Sequence, residues 1–300
     1  MTNIPRVSII TPSYNQAQFL EQCILSVLEQ DYPNLEYIII DGGSQDGSLD
    51  IIKKYSHRLA YWVSEKDDGQ SAAINEGLRH ATGEIWAWMN SDDAYLPGAV
   101  GKAVEWLVAH PELDILYGDT IMMDENGQNE RYHHAEDFDL SAMLTDHIVM
   151  PTGSAFLRRN VHQRLGGFDE GLHYVMDNDY WLRATQFCSF AHLSEALSYY
   201  RVYPSAKTWN MAKSEVRARE IILVYERFWS RVDLPRNLWR LRSRSLAKIY
   251  LYVADLACQR NEKGACLNYL QKSMQFGLPA LRPRFVRIWM QIIFRNLFAE

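Results

Sequence analysis

Residues 7–93 repeat one pattern four times: a short apolar run rich in β-branched or aromatic residues, then a cluster of Gly, Ser, Asn and Asp. The runs are "RVSIITPS", "LEYIIIDGGS", "LAYWVSE" and "EIWAWMN", and helical patterns separate them, as in "DGSLDIIKKY" and "GQSAAINEGLRHA". Unbroken apolar runs mark strands buried on both faces, and a helix between successive strands imposes parallel pairing with helices covering the sheet. The first 120 residues are therefore expected to read βαβαβαβ. In open sheets of this type ligands gather at the carboxyl ends of the strands. The polar clusters "TPSYN", "DGGSQDG", "EKDDGQ" and "NSDD" all fall at those ends, so four loops should converge on one crevice.

Local signals refine this reading. Asn15 is placed to cap a helix whose Phe19, Cys23, Ile24, Val27 and Leu28 share one face, Asp46 lies near the start of the next helix, and a later helix is entered at Pro97. Beyond residue 111 the pattern is less regular: "LDILYGD", "GSAFLRR" and "SEALSYYRVY" read as strands and "NDYWLRATQ" as a helix start. From about residue 206 the spacing is helical to the end. "AKIYLYVADLACQRNEKGACLNYLQKSMQFGLP" reads as two antiparallel helices joined at "RNEKG", similar to a single tetratricopeptide-type pair. The expected class is α/β, a mostly parallel Rossmann-like sheet flanked by helices with an all-helical appendage. The expected division is 1–205, with halves of about 1–120 and 121–205, followed by 206–300.

Charge is distributed unevenly. The first 200 residues carry 12 Lys and Arg against 30 Asp and Glu, whereas residues 201–300 carry 19 against 7. The acidic body opposes nucleic acid, so no nucleic-acid partner is expected. Within the tail, "RPRFVRIWMQIIFRNLF" interleaves Arg282, Arg284, Arg287 and Arg295 with Phe285, Trp289, Ile292, Ile293, Phe294 and Leu297. That pattern suits either an anionic membrane interface or a helix packed on the rest of the chain. No signal-peptide pattern opens the sequence and no run of about 18 apolar residues occurs, so a cytoplasmic protein, peripheral on a membrane at most, is expected. Cys23, Cys188, Cys258 and Cys266 form no C-x-x-C pair and read as small core residues.

The chemistry centres on carboxylates. Asp41, Asp67, Asp68, Asp92 and Asp93 all lie at strand ends, and the adjacent pair Asp92–Asp93 follows an aromatic run that should be buried. Like charges there need compensation, and a divalent cation supplies it. Mn2+ or Mg2+ takes oxygen from one or two carboxylates and completes its shell with phosphate and water. No G-x-G-x-x-G follows the first strand and no G-x-x-x-x-G-K-[ST] occurs, which argues against hydride transfer and P-loop chemistry. The proposed ligand is a nucleoside diphosphate with its metal. His133 and His134 read as solvated loop residues; Trp86 and Trp88 share one strand face and read as core, with Tyr174 a further sugar-stacking candidate.

Three ordered blocks, "VSIITPSYNQAQFLEQCILSVLEQDYPNLEYIIIDGGSQDGS", "DDGQSAAINEGLRHATGEIWAWMNSDDAYLPGA" and "GGFDEGLHYVMDNDYWLRA", resemble glycosyltransferase family 2 over roughly residues 5–205. The resemblance implies a GT-A fold and an inverting, metal-dependent sugar transfer from a nucleotide sugar, a UDP-sugar first, to a saccharide or lipid-linked saccharide in polysaccharide or glycan assembly. It implies that Asp93 coordinates the metal and that Asp92 bonds the ribose or joins the ligand set. It places Thr11, Pro12, Tyr14, Asn15, Asp41, Gly42, Gly69, Gln70, Asn90, Ser91 and Asp92 at the donor, Asp177 as catalytic base, and Gly167, Phe168, Asp169 and Asp179 at the acceptor. The chain departs from the family pattern at Gly42, where many members have a second aspartate, and at Tyr203, where many have a histidine ligand. It also lacks the common histidine–glutamine pair within "HIVMPTGSAF". A catalytically inactive scaffold working through the helical tail is one rival reading, and a nucleotidyltransferase a second, although the crevice loops offer a triphosphate only Lys66.

Overall fold

The computed structural model describes residues 4–146, 150–208 and 214–277. Along the chain the elements are β1 (Val7–Ser13), α1 (Ala17–Leu28), β2 (Leu35–Asp41), α2 (Ser48–Tyr55), β3 (Tyr61–Ser64), α3 (Gln70–His80) and β4 (Ile85–Trp88). There follow β5 (Ala94–Tyr95), α4 (Ala99–Ala109), β6 (Ile115–Met123), β7 (Arg131–His133), α5 (Leu140–Asp146), β8 (Ala155–Arg158), α6 (Arg159–Leu165), α7 (Met176–Ala184) and β9 (Phe190–Arg201). Three long helices close the described chain: α8 (Ser214–Trp229), α9 (Trp239–Gln259) and α10 (Lys263–Gln275).

The sheet order is β3-β2-β1-β4-β8-β6-β9-β5, with β7 paired to β6. Strands β1 to β4 pair in parallel, as their unbroken apolar character requires, and β8 then runs antiparallel between β4 and β6. Every residue of β1 and of β4 is buried. Trp86 and Trp88 are core residues at 2% and 1% exposure, stacked on each other and meeting Phe168, Tyr180 and Trp181. Each such ring buries on the order of 150–250 Å², so this cluster fixes the position of α7 against β4.

Two expectations about helix starts change. The chain after "NSDD" does not enter a helix at Pro97; Ala94 and Tyr95 first pair with Tyr199 and Ser198 of β9, and α4 begins at Ala99. Asn15 does not cap α1. It lies at φ +51°, its Oδ1 accepts the Gln45 N–H at 2.9 Å, and its own N–H donates to Ser44 Oγ at 2.7 Å. The α1 terminus is served by Asp46, whose Oδ2 accepts the Ala17 N–H and whose Oδ1 accepts the Ser48 N–H of α2. One carboxylate thus sits at two helix N-termini, where negative charge is favoured.

The described residues form two compact units: 4–138 with 150–204, which hold the sheet, and 139–146 with 205–208 and 214–277. In the second unit α9 packs along α5, α8 and α10; Trp229 Nε1 donates to Ser245 Oγ, which donates to the Leu144 carbonyl. The α9–α10 hairpin turns at Asn261, φ +64°, inside the expected "RNEKG". Cys258 and Cys266 are buried between these helices. Residues 278–300, including the expected amphipathic tail, lie outside the described residues, and no helix among the described residues is long and apolar enough to cross a membrane.

Candidate active site

The carboxyl ends of β1 and β2 are stitched together by side chains. Asp41 is fully buried; Oδ1 accepts Ser44 Oγ–H at 2.5 Å, and Oδ2 accepts the Ser44 N–H at 2.9 Å and Ser64 Oγ–H at 2.7 Å. Its oxygens brace the β2 and β3 loops instead of opening to solvent. Thr11 is likewise interior, hydrogen-bonded to the Tyr37 hydroxyl at 3.0 Å, and Pro12 is buried beside it. Of the expected first-loop donor contacts, only Tyr14, at 63% exposure, and Asn15 face outward. Thr11, Pro12 and Asp41 shape this wall from behind.

Gly42 has a definite steric reason. A Cβ there would stand 3.0–3.2 Å from the Asp67 carboxyl group. Asp67 therefore fills the space beside β2 where a side chain at 42 would lie, and it accepts the Gly69 N–H at 2.9 Å. Burial, with the Asp41 and Asp68 charges, pushes its carboxyl above the usual range. Asp67 is legible in the sequence as one of the carboxylates at strand ends, and only the fold shows it against Gly42.

The Asp92–Asp93 pair is asymmetric. Asp93 is 3% exposed and turned inward, its Oδ1 accepting the Arg201 N–H at 2.8 Å and its Oδ2 the Asn90 Nδ2–H at 3.2 Å. Burial first, and the neighbouring Asp92 charge second, raise its carboxyl well above the ordinary range. Asp92 is the outer member, partly exposed, and its Oδ2 accepts the Tyr203 hydroxyl at 2.8 Å. Gln16 Nε2 donates to the same phenol oxygen at 3.2 Å, and Phe19 packs on the Tyr203 ring. Burial and the Asp92 charge push the phenol up, so Tyr203 stays a neutral donor. Asn90 Oδ1 accepts Gln70 Nε2–H at 2.8 Å, which ties the start of α3 to this loop, while Ser91 is buried at 5% exposure.

Arg201, which the sequence did not single out, organises the pair. It is 3% exposed. Nε donates to the Asp92 carbonyl at 2.9 Å, Nη1 to the carbonyls of Asp124 and Glu125, and Nη2 to Gln22 Oε1 at 2.6 Å. The guanidinium lies 4.5 Å from the Phe19 ring centroid. One interior cation thus faces two carboxylates.

This arrangement suits a divalent ion. Asp93 is buried beside the charge of Asp92, which together with burial raises its carboxyl, and Asp92 itself is partly exposed. Among the described residues no three His, Cys, Asp or Glu side chains converge on a metal position. One or two carboxylates, with phosphate and water for the remaining positions, is the donor set of Mg2+ or Mn2+.

Side chains of α3 hold the segment that leads into α7. Asn75 of α3 clamps the "GGFDE" segment, its Oδ1 accepting the Phe168 N–H at 2.8 Å and its Nδ2 donating to the Phe168 carbonyl at 2.9 Å. A Cβ on Gly167 would lie 2.4 Å from Asn75 Oδ1, so this approach needs glycine. Phe168 is buried at 4% exposure and Asp179 at 8%; Asp179 pairs with Arg183 at 2.8 Å, and Arg183 also donates to the Leu165 and Gly167 carbonyls. Gly167, Phe168 and Asp179, expected at the acceptor, are held in this way by Asn75 and Arg183. Asp169 accepts the Gly171 N–H, and Asp177, in the first turn of α7, is partly exposed with Oδ1 accepting the Asn178 N–H at 2.8 Å. His173 stands beside Gly69 at the start of α3. His133 lies exposed in β7, while His134 approaches buried Asp119 at 3.3 Å.

Comparison with known proteins agrees with this architecture. The profile described as Glycosyl transferase family 2 matches residues 8–166. A glycosyltransferase of Rickettsia typhi is 28% identical over 236 residues, spanning 76% of this chain and 72% of that protein. Another, of Mycobacterium tuberculosis, is 33% identical over 190 residues, spanning 63% of this chain and 72% of its own length. Among solved structures, the mannosyltransferase PcManGT of Pyrobaculum calidifontis, in complex with GDP-Man and Mn2+, superposes with a TM-score of 0.63 at 20% identity, covering 100% of this chain and 89% of that one. S. aureus TarS 1–349 in complex with UDP-GlcNAc gives 0.59 at 17% identity, covering 90% of each. These likenesses carry the fold, which is of the GT-A type.

Proposed function

The chain belongs to glycosyl transferase family 2, and from that premise we propose that it moves a sugar, with inversion, from a nucleoside diphosphate donor to a saccharide hydroxyl. The observation that carries this is the Asp92–Asp93 pair at the carboxyl end of β4, one member clamped by Arg201 and Asn90 and the other presented to the crevice. The donor lies across the ends of β1 to β4, with Tyr14, Asn15, Asp67, Gly69, Gln70 and Asn90 around the nucleoside side. Asp93, as the resemblance implies, and Asp92 beside it are the carboxylates that would hold a Mn2+ or Mg2+ ion. Bound there, such an ion supplies Lewis-acid stabilisation of the departing diphosphate. Tyr203 keeps Asp92 oriented in place of a further ligand.

Asp177 takes the acceptor proton. Inversion is a single displacement, so the base must stand on the face opposite the leaving group. Asp177 lies in the first turn of α7, and the segment leading into it is held by Ser71, through the Leu172 carbonyl and Met176, and by Asn75 through Phe168. Asp169 and Asp177 are the polar groups offered there to an acceptor. We place the reaction in polysaccharide or glycan assembly with a saccharide or lipid-linked saccharide as acceptor and a UDP-sugar as first donor, and assign the tail at 282–297 to an anionic membrane.

Thermal-shift titration with UDP- and GDP-sugars, with and without manganese, tests the donor site, because a ligand of the native state raises the midpoint. Asp177→Asn should keep that shift and lose about 10²–10⁴-fold in kcat. Equal turnover by the variant refutes Asp177 as base, and equal inactivity of both proteins with every donor favours the scaffold reading.

A further inference from the structure

In the second unit, charge and exposure concentrate where α9 begins. Between residues 231 and 248 the sequence carries six Lys or Arg and one acid, Asp233, which Arg231 already pairs. Arg236, Arg240 and Arg244 follow at intervals of four, and all three are exposed. Arg236 and Arg240 make no ion pair among the described residues. Two apolar side chains stand among them: Val232, in the turn between α8 and α9, at 98% exposure, and Trp239, the first residue of α9, at 40%.

This placement works against the helix. The first turn of α9 contains no acid and no side-chain cap, and its amide end already carries partial positive charge. Cations there repel that end and one another, so they weaken the helix that bears them. Packing does not explain their presence, since the side chains reach into solvent. An external anion does.

We propose that this face docks on an anionic lipid bilayer, the three arginines meeting headgroup phosphates while Val232 and Trp239 enter the interface. Charge complementarity identifies the partner as anionic. The exposed valine and indole favour a membrane over a nucleic acid, because an indole settles at headgroup level and an aliphatic tip gains only where water is excluded. The surface is distinct in sequence from the tail at 282–297; it extends the proposed membrane contact and stands if that tail proves idle.

The test uses the full chain and vesicles of phosphatidylcholine with about 30% phosphatidylglycerol, compared with phosphatidylcholine alone, in about 0.1 M salt. At about fivefold per surface cation, the variant Arg236→Gln/Arg240→Gln/Arg244→Gln should lose roughly a hundredfold in partitioning. The corresponding triple lysine variant should bind like the wild type, and Trp239→Ala should lose severalfold. The arginine variants should keep the wild-type circular dichroism and melt no lower than the wild type, their side chains being exposed, and Trp239→Ala, which also gives up its contact with Trp229, is compared with the wild type below its own melting point. The proposal is overturned if the glutamine variant partitions as the wild type does, which leaves any binding to the tail. It is overturned equally if the arginines govern binding to duplex DNA and not to vesicles.

Discussion

Arg201 is the residue on which the charged centre depends most, and Arg201→Met tests how much. Methionine keeps an apolar stem against Phe19 but removes the guanidinium bonds to three backbone carbonyls and to Gln22. The Arg201 N–H to Asp93 is backbone and survives, so the variant isolates the side chain. Removing one partner of a buried charge cluster costs about 3–5 kcal/mol, because Asp92 and Asp93 lose the interior cation that offsets them. For a unit of this size each kcal/mol lowers the midpoint by about 2–4 °C, so the sheet-bearing unit should melt roughly 6–20 °C lower. The probe is near-ultraviolet circular dichroism, which reports the buried Trp86, Trp88 and Trp181, joined by hydrogen exchange in peptides covering 90–95 and 198–203. With two units present, a single global midpoint does not measure this loss. Arg201→Lys should recover only part, since an ammonium cannot reproduce the planar fork. A methionine variant that melts within about 2 °C of wild type, with unchanged exchange around Asp92, would show that the clamp carries none of the weight assigned to it.

Two pH-linked outcomes follow from the same kind of reasoning. Asp93 ionises above the usual carboxylate range in the folded chain because burial and Asp92 disfavour its charge, so wild-type stability should fall as pH rises from the unfolded value of about 3.9 toward the raised folded value. Asp93→Asn should flatten that slope in the ligand-free protein, and an unchanged slope in pH-resolved melts contradicts the assignment. Asp119 behaves oppositely: burial alone would raise it, but the Ala135 N–H, His192 and the Tyr132 hydroxyl together hold it low. Its contribution is complete above the ordinary carboxylate range and disappears as pH falls through the lowered value. Hydrogen exchange across 131–135 should therefore rise selectively in acid, and Asp119→Asn should show that rise already at neutral pH.

The parallel half of the sheet was legible because burial on both faces leaves a plain mark in sequence: unbroken runs in β1, β2 and β4, each followed by polar loop residues. β5 left none. It is two residues long, and what makes it a strand is pairing with Tyr199 and Ser198 about a hundred positions later. The carboxylates were visible as residues but not in their orientation. Asp41 and Asp93 read as ligand-facing because they stand at strand ends, yet Ser44 and Ser64 claim the first, and Asn90 and the Arg201 amide the second. The resemblance places Gly167 and Phe168 at the acceptor, and what the sequence does not show is that Asn75, more than ninety residues earlier, holds this segment through the Phe168 amide and carbonyl.

What joins these cases is that charge at the crevice is settled by partners remote in sequence. Arg201 faces Asp92 and Asp93 only because β9 returns alongside β6 and places its last residue behind the β4 loop. The fold thereby supplies one interior positive charge for two carboxylates. Asp93 stays raised by burial and by Asp92 all the same, so its charge is not offset from within, whereas a site balanced fully from within would have no electrostatic reason to recruit a cation together with a diphosphate. Filling that deficit permanently, by Tyr203→Lys beside Asp92, should therefore abolish the manganese-dependent part of the response to nucleotide sugars, while the lost packing on Phe19 lowers the melting point of the empty protein. If the lysine variant still responds to manganese as the wild type does, Asp92 is not where the ion is held.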